Sequence, residues 1–487
     1  MHQPLPPARP IGLASLPVAL ALNLAAAVMT RLPAFGNPVI HVDEQFYLLV
    51  GEHMLRGEWP YSDIFDRKPF LLFALNAGFA LFGSQALWAQ QIAALLAVVA
   101  TALLLRAIAR RALPDRLTAW PGVLYIALLP GFEGIGAQAP VFYTPLVCLA
   151  ALWTLRAAET GHLLRYGALA MLASGLAIQI KYSVIFECGL FGLALLWRAH
   201  RSHWPAAQIV LAAAVWIGTA LLPSAAIGAG YAAAGHWDAF WQANVMSNLA
   251  VGAPLAEALP RLAVNLAILI GVLACAAAGW SRLDWSRGQG AVFVRWWCAA
   301  ALFGYVVYGT WYTHYMLPVL APLSLAAIAG FAAASRLPRR AALGLLALTL
   351  VACGVRGAYL LREHGTAAQA ERIAATIRER IPAGERLLIY AGDPGFYRLA
   401  GSPLPHPFVF PDHYSRNSAR RFLPQSPTAA LRATFAHPPA VVMRVDKLYP
   451  DRDREADAWL ADRLARDYQP YARLPIGSKH VLLYARR

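Results

Sequence analysis

Long apolar segments follow one another through the first three quarters of the chain and constrain its fold more than any other feature. An α-helix needs about 20 apolar residues to cross a bilayer core of about 30 Å. Segments of this kind lie near residues 11–30, 86–106, 118–132, 139–156, 163–180, 183–198, 205–229, 261–280, 291–310, 315–334 and 341–361. Only 14% of the residues are charged, against about 25% in soluble domains. We therefore predict an all-α polytopic membrane bundle with about eleven crossings, the first of which is retained and not cleaved as a signal peptide.

The distribution of basic residues predicts the orientation. The formal net charge is +16, which in a membrane protein indicates basic cytoplasmic loops and not a nucleic-acid partner. Five arginine-rich loops share one side of the membrane only if the short apolar run 69–82 does not cross it; they lie near 106–111, 156–165, 198–203, 282–295 and 336–340. Residues 69–82 are therefore expected to form a juxtamembrane or re-entrant helix. In a bacterial inner membrane the N-terminus is then cytoplasmic, and residues 31–85 are periplasmic.

The last part of the chain differs from the rest in composition. Residues 362–487 are charged and contain proline-rich connectors. Helical spacing predicts helices at 366–380 and 454–467, and short apolar runs predict strands at 386–391, 440–445 and 480–485. We expect a transmembrane region, 1–361, followed by a small periplasmic α/β domain, 362–487, whose role the sequence leaves open.

The longest polar interruption of the apolar half runs from His41 to Leu75 and begins with two carboxylates, Asp43 and Glu44. Residues 43–57 have the pattern of an amphipathic helix, which would hold Asp43 at its N-terminus near the bilayer surface. A carboxylate there could take a proton from a nucleophilic hydroxyl group. The simpler alternative is a solvated turn or a helix cap. Tyr47 lies on the same helix and is a candidate to line a substrate cavity.

Lysine is rare in this chain, with four lysines against 38 arginines. Lys68 and Lys181 fall at predicted periplasmic ends of apolar segments. Each could simply reach for the interface, or it could bind the phosphate of a lipid carrier and stabilise the oxyanion left when that phosphate departs. Arg56 and Arg67 are weaker candidates for the same task.

Three further polar residues are candidate cavity residues. Glu187 lies inside an apolar helix, where an ionisable group suggests function by default; a structural contact to Lys181 or to a tyrosine is the alternative. His314 and Tyr315 lie at a helix junction and either line a cavity or form a wetted helix end. For each of the three residues, the sequence favours neither the functional nor the structural interpretation.

Cofactor motifs are weak or missing in the sequence. Asp43 and Glu44 could ligate Mg²⁺ or Mn²⁺, but no cluster of histidines and cysteines has metal-ligand spacing, so no metal site is assigned and a divalent cation is left open. There is no nucleotide-binding fingerprint and no serine-nucleophile motif. A transfer reaction would therefore need a donor activated elsewhere, and a lipid-phosphate donor meets that need.

The stretch from the Asp43-Glu44 pair to Lys68-Pro69 resembles the protein mannosyltransferase and aminoarabinose-transferase-like branch of the GT-C glycosyltransferases. The resemblance includes Tyr47, the segment MLRGEWPY, the sequence Gly175-Leu176-Ala177 before Lys181, and His314-Tyr315-Met316-Leu317-Pro318; it covers roughly residues 10–335. Two departures stand out. Phe70 follows Pro69 where many members have a second proline, and Glu133 lies a few residues before the place where a further acidic residue is often found.

The resemblance implies an integral membrane enzyme that transfers a sugar from a polyprenyl-phosphate carrier to a hydroxyl or phosphate acceptor on a glycan, lipid or protein, at the outer face. It implies that Asp43 is the acidic active-site residue, with Glu44 beside it, and that Lys68 faces the carrier phosphate. The rival hypothesis is a transporter or flippase for a lipid-linked or anionic substrate. We find none of the internal symmetry that transporters often show.

Overall fold

The computed structural model describes residues 15–111, 113–250, 255–278 and 289–487. Long helices dominate as far as residue 364. In chain order the helices of this region are α1 Leu16–Arg31, α2 Val42–Met54, α3 Phe70–Ala80, α4 Ala86–Ala109, α5 Trp120–Leu128, α6 Ala139–Thr160, α7 Leu163–Ile178, α8 Ile185–Arg201, α9 Ala206–Ala233, α10 Trp237–Trp241, α11 Ser247–Leu249, α12 Leu255–Ala278, α13 Gln289–Val307, α14 Leu317–Ala333 and α15 Arg336–His364. The prediction of a polytopic helical bundle is confirmed.

By length and composition, eight helical spans among the described residues could cross a membrane. They are Leu16–Ala34, Gly83–Ala109, Ala139–Thr160, Tyr182–Arg201, Ala206–Ala233, Leu255–Ala278, Thr313–Ala333 and Arg336–Arg378. The other three predicted segments form shorter apolar helices, namely α7, α13 and α5. In the last of these, the α-helix stops at Leu128, and a 3₁₀ turn containing Pro130 leads into Glu133.

Glycines allow neighbouring helices of the bundle to approach closely. A side chain at Gly175 in α7 would overlap the backbone carbonyl of Ala220 in α9. A side chain at Gly271 in α12 would overlap the carbonyl of Leu345 in α15. Small residues at such crossings favour helix association in lipid, where burial of apolar surface gives little driving force.

The polar stretch of the sequence folds into two short helices at one end of the bundle. The amphipathic helix predicted at 43–57 is α2, and it begins where the ring of His41 accepts a hydrogen bond from the backbone N–H of Asp43. The apolar run 69–82 forms α3, whose 11 residues are too few to span a bilayer core. A helix of this length fits the juxtamembrane or re-entrant role.

Residues beyond α15 form a small α/β domain. Its helices are α16 Ala367–Arg378, α17 Gly395–Ala400, α18 Asp412–Ser415, α19 Pro427–Thr434 and α20 Arg454–Asp467, and its strands are β1 Leu387–Ile389, β2 Val441–Val445, β3 Tyr468–Ile476 and β4 Lys479–Arg486. The strand order is β1-β2-β4-β3, with β1 and β2 parallel and the other pairs antiparallel. Of these strands, β3 was not predicted.

The α/β domain packs against α2. The rings of Phe46 and Phe410 meet edge to face at 5.1 Å. Arg398 forms an ion pair with Glu52, and the backbone N–H of Phe65 donates to the carbonyl of Pro407 at 2.9 Å. The polar stretch is therefore enclosed between the bundle and the domain.

Candidate active site

A cavity of about 370 Å³ lies where the bundle meets the α/β domain. Both parts of the chain contribute charged side chains to its wall. The polar and aromatic lining residues are His41, Asp43, Arg67, Lys68, Glu133, Tyr312, His314, Tyr315, Glu363, His364, Asp393, Phe410, Asp412, Ser415, Arg416, Lys447, Tyr449 and Lys479. Five of the residues selected from the sequence line this one cavity, namely Asp43, Arg67, Lys68, His314 and Tyr315.

Asp43 lies in the first turn of α2, where the helix dipole stabilises a negative charge. Burial alone would raise the pKa of Asp43, but the charges of Lys68 and His41 outweigh it and lower the pKa to about 2. The carboxylate is therefore ionised at neutral pH. The buried hydroxyl of Tyr47 is hydrogen-bonded to it, and burial followed by the charge of Asp43 raises the pKa of Tyr47.

Lys68 and Arg67 reach the cavity from the loop before α3. The backbone N–H groups of both residues donate to Oδ1 of Asp66, at 2.7 Å and 2.6 Å respectively, which fixes the turn. The ammonium of Lys68 is 3.7 Å from the same carboxylate oxygen. The guanidinium of Arg67 stacks 3.9 Å above the ring of Phe422 in the α/β domain. Both cations thus line the same cavity as Asp43.

Lys181 approaches the same region from the connection between α7 and α8. Its ammonium lies 4.0 Å from the centre of the Tyr315 ring, and the residue is only 8% exposed. Burial and the nearby charge of Lys68 lower the pKa of Lys181 to about 7, against the opposing effect of Asp43. An anion in the cavity would be flanked by Lys68 and Lys181.

Glu44 faces away from the cavity although it adjoins Asp43 in sequence. It is 2% exposed and accepts a hydrogen bond from the backbone N–H of Ala137. Arg31 of α1 holds the same loop, because its guanidinium donates to the carbonyls of Gly134, at 2.8 Å, and Gly136. Burial raises the pKa of Glu44 to about 6. The geometry gives Glu44 a part in positioning the loop that carries Glu133.

Glu133 joins two histidines on one side of the cavity. Its Oε2 lies 3.3 Å from Nε2 of His41 and 3.1 Å from Nδ1 of His314. Glu133 adopts a left-handed backbone conformation, with φ of 60°, which is uncommon outside glycine. One ligand atom of each residue lies within 4.8 Å of the others. Two imidazoles and one carboxylate form a ligand set that Zn²⁺ accepts in proteins.

Glu187 lies apart from these residues. Its carboxylate accepts a hydrogen bond of 2.6 Å from Nε1 of Trp297. With Ser183, Tyr305 and Tyr308 it borders a narrow crevice inside the bundle. The structure thus pairs Glu187 with a tryptophan, where the sequence suggested Lys181 or a tyrosine.

The α/β domain adds two carboxylates that sequence reasoning did not single out. Asp393 follows β1, is 8% exposed, and accepts the N–H of Gly395 at 2.8 Å. Burial raises the pKa of Asp393 to about 7. Asp412 pairs with Arg416 at 3.3 Å, and Arg416 also binds Asp451.

His41 and Glu133 were likewise not selected as site residues from the sequence. His41 stands next to the Asp-Glu pair, and Glu133 is the acidic residue nearest to a position where the resembled family has one. Both signals were present, but no periodic pattern links residues 92 positions apart. A second cleft, of about 470 Å³, lies beside α2 and is bordered by Glu52, His53, Arg56 and the 401–407 loop. Arg56 therefore lies outside the cavity that Asp43 and Lys68 line.

Residues 66–226 match the family model described as dolichyl-phosphate-mannose-protein mannosyltransferase. The resemblance stated from the sequence is thereby confirmed. The comparison with curated proteins gave no match.

Two solved structures have similar folds. ArnT from Cupriavidus metallidurans bound to undecaprenyl phosphate is 16% identical with a TM-score of 0.64, over 96% of this chain and 97% of that one. The archaeal oligosaccharyltransferase AglB from Archaeoglobus fulgidus, in complex with an inhibitory peptide and a dolichol-phosphate, is 13% identical with a TM-score of 0.57, over 96% of this chain and 74% of that one. At these identities the likeness establishes the fold.

Proposed function

We propose that this protein is an integral membrane glycosyltransferase that moves a sugar from a polyprenyl-phosphate donor to a hydroxyl or phosphate group of a glycan, lipid or protein acceptor. The observation that carries the proposal is the cavity itself, which gathers an ionised Asp43 and the cations Lys68 and Arg67 at the bundle end. The family match over residues 66–226 supports the same reaction class. The bound lipid phosphates of the two structural relatives support the donor class.

The cations of the bundle suit the donor phosphate. Lys68, Lys181 and Arg67 come from two separate connections of the bundle, and a phosphate between them would be held by ammonium and guanidinium donors. When the bond between the sugar C1 and the phosphate oxygen breaks, negative charge develops on that oxygen. Preorganised cations in a water-poor site stabilise such charge.

Asp43 suits the acceptor. An acceptor oxygen forms the new bond to C1 while the phosphate leaves, and the hydroxyl proton passes to the Asp43 carboxylate. A pKa of about 2 makes Asp43 a weak base in the resting enzyme, so it orients the hydroxyl and takes the proton only as the new bond forms. If the acceptor is itself a phosphate, no base is needed and Asp43 acts by positioning. Tyr47 holds the carboxylate in place.

A divalent cation fits the site at His41, Glu133 and His314, in place of the Asp43-Glu44 pair considered from the sequence. The three ligand atoms already converge, whereas Glu44 turns toward the loop of Ala137. When bound, such an ion supplies positive charge next to Asp43. An ion bound through Nε2 of His41 would leave Nδ1 protonated, so the ring would then no longer accept the backbone N–H of Asp43.

We place the reaction at the periplasmic face of a bacterial inner membrane, with the N-terminus cytoplasmic. Two observations support this placement. The five arginine-rich loops are predicted from the sequence to lie on the opposite side of the membrane. Residues 31–85 pack against the α/β domain.

The proposal is tested with the full chain in lipid nanodiscs. The donor is undecaprenyl phosphate that carries a tritiated sugar, and a cell-envelope extract supplies the acceptor. The release of undecaprenyl phosphate and the formation of labelled product are both measured. The enzyme should release the carrier lipid only when an acceptor is present. Reconstitution into liposomes separates the rival, because a flippase would move the labelled lipid between leaflets without cleaving it, and that result would overturn the proposal.

A further inference from the structure

All four lysines of the chain stand around the reaction cavity. Lys68, Lys447 and Lys479 line it, and Lys181 stacks on its wall residue Tyr315. At the other 38 basic positions the chain uses arginine. The two residues are not equivalent, since a lysine ammonium is a compact point charge on a flexible stem that binds phosphate without the fixed fork of arginine. The restriction of lysine to this cavity therefore points to anion binding.

The lysines form two groups that belong to different parts of the fold. Lys68 and Lys181 come from the bundle. Lys447 follows β2 and Lys479 begins β4, and the pairing of Val445 with Val481 in these two strands brings them together. The Lys447 ammonium donates to the carbonyl of Ser478 at 2.9 Å.

The cavity wall around the two domain lysines contains both cations and carboxylates. Lys479 lies 5.8 Å from the centre of the Tyr449 ring. The nearby carboxylate of Glu363 accepts a 2.6 Å hydrogen bond from the Ser478 hydroxyl and offsets one of the two ammonium charges. Arg416, also in the wall, is already paired with Asp412 and Asp451. Together the two lysines, Arg416 and the carboxylates Glu363, Asp412 and Asp451 sum to zero. It is therefore the position of the two ammonium groups in the cavity wall, and not an excess of charge, that favours an anion there.

We propose that Lys447 and Lys479 form an acceptor subsite for an anionic saccharide, one that carries a phosphate or carboxylate group. The proposal rests on the proposed function, in which the bundle cations are occupied by the donor phosphate. The domain lysines are then the cations left for the second substrate. The subsite also gives the α/β domain a role in selecting the acceptor, because both lysines belong to its sheet.

The test uses the full chain in nanodiscs, saturated beforehand with undecaprenyl phosphate so that the bundle cations are filled. Binding of glucose 1-phosphate, glucuronate and methyl glucoside is measured by calorimetry. The wild-type protein should bind at least one anionic sugar about tenfold more tightly than the neutral one, and the tighter of the two identifies the anionic group. The double substitution Lys447→Gln and Lys479→Gln should abolish that preference.

A matched control removes two basic side chains from the same domain. Arg463 and Arg466 form ion pairs on α20 outside the cavity, and Arg463→Gln with Arg466→Gln should leave the preference intact. The lysine variant must keep wild-type affinity for undecaprenyl phosphate. Equal affinity for charged and neutral sugars, or an unchanged preference in the lysine variant, overturns the subsite alone. Failure of the wild-type protein to bind undecaprenyl phosphate overturns the proposed function and the subsite with it.

Discussion

The ammonium of Lys181 lies 4.0 Å from the centre of the Tyr315 ring. The lysine belongs to the connection between α7 and α8, and the tyrosine belongs to the turn before α14, 134 positions later in the chain. The contact holds a buried cation next to a cavity that already contains Lys68. Two like charges in a buried site repel each other, so the binding of an anion near Lys68 and Lys181 would be favourable.

The protonation of Lys181 should make lipid-phosphate binding depend on pH. Burial and the charge of Lys68 depress the pKa of Lys181 to about 7, so the cation is present below pH 7 and is lost as the pH rises above it. Undecaprenyl phosphate should bind up to about tenfold more weakly at pH 8 than at pH 6. Fluorescence titration in nanodiscs measures the affinity at each pH.

Lys181→Arg provides the control, because arginine stays protonated over this range. The phosphate itself gains negative charge with rising pH, and it does so equally for both proteins. The affinity of the wild-type protein relative to the arginine variant should therefore fall between pH 6 and pH 8. A constant ratio would show that Lys181 does not titrate beside the phosphate.

Gly136 should be intolerant of a side chain. A methyl group there would overlap the carboxylate of Glu44, which is buried and holds the loop through Ala137. We expect Gly136→Ala to destabilise the fold by about 1–3 kcal/mol, as overpacking does, and to lower transfer by displacing Glu133. Thermal unfolding in detergent measures the first effect, and the transfer assay measures the second.

Gly189 is the matched control for that substitution. It lies within α8, and a methyl group there meets no heavy atom within 4 Å in the described part of the chain. Alanine at this helical position should be neutral or stabilising by up to about 1 kcal/mol. Equal melting temperatures for Gly136→Ala and Gly189→Ala would show that the loop does not depend on the contact with Glu44.

The convergence of His41, Glu133 and His314 predicts a divalent-cation site. Equilibrium dialysis with Zn²⁺ should give about one bound ion per chain for the wild-type protein, and Glu133→Gln should weaken binding by at least about tenfold. Asp43→Asn should retain the ion, since Asp43 is not a member of the three. Retention by Glu133→Gln together with loss by Asp43→Asn would move the site to the carboxylate pair.

Much of the fold could be predicted because apolar length and helical periodicity are local properties. The amphipathic pattern placed α2 within three residues of its ends, at Val42–Met54. Strand β3 was missed because its sequence, YQPYARLPI, contains two prolines and few consecutive apolar residues. Proline is tolerated at such a position because β3 lies at the edge of the sheet.

Site residues could be predicted only where the residue type itself indicated a chemical role. Rare lysines and an acidic pair identified Lys68, Lys181 and Asp43. Asp43 and Lys68 line one cavity, and Lys181 packs on its wall residue Tyr315. Glu44 and Asp43 could not be distinguished, because neighbouring helical residues point in different directions and the loop that receives Glu44 lies more than 90 positions away. The contributions of Asp393, Asp412, Lys447 and Lys479 depend on how the α/β domain docks, which no local pattern encodes.

The central claim is that Asp43 and Lys68 act in one cavity on different substrates. The most direct test measures both the transfer rate and the affinity for undecaprenyl phosphate in Asp43→Asn and Lys68→Gln, each shown to be folded by its melting temperature. Both variants should lose transfer by about 100-fold or more. Lys68→Gln should also bind the lipid phosphate more weakly, whereas Asp43→Asn should bind it as tightly as the wild-type protein or more tightly. A folded Asp43→Asn protein that transfers sugar at the wild-type rate would contradict the account.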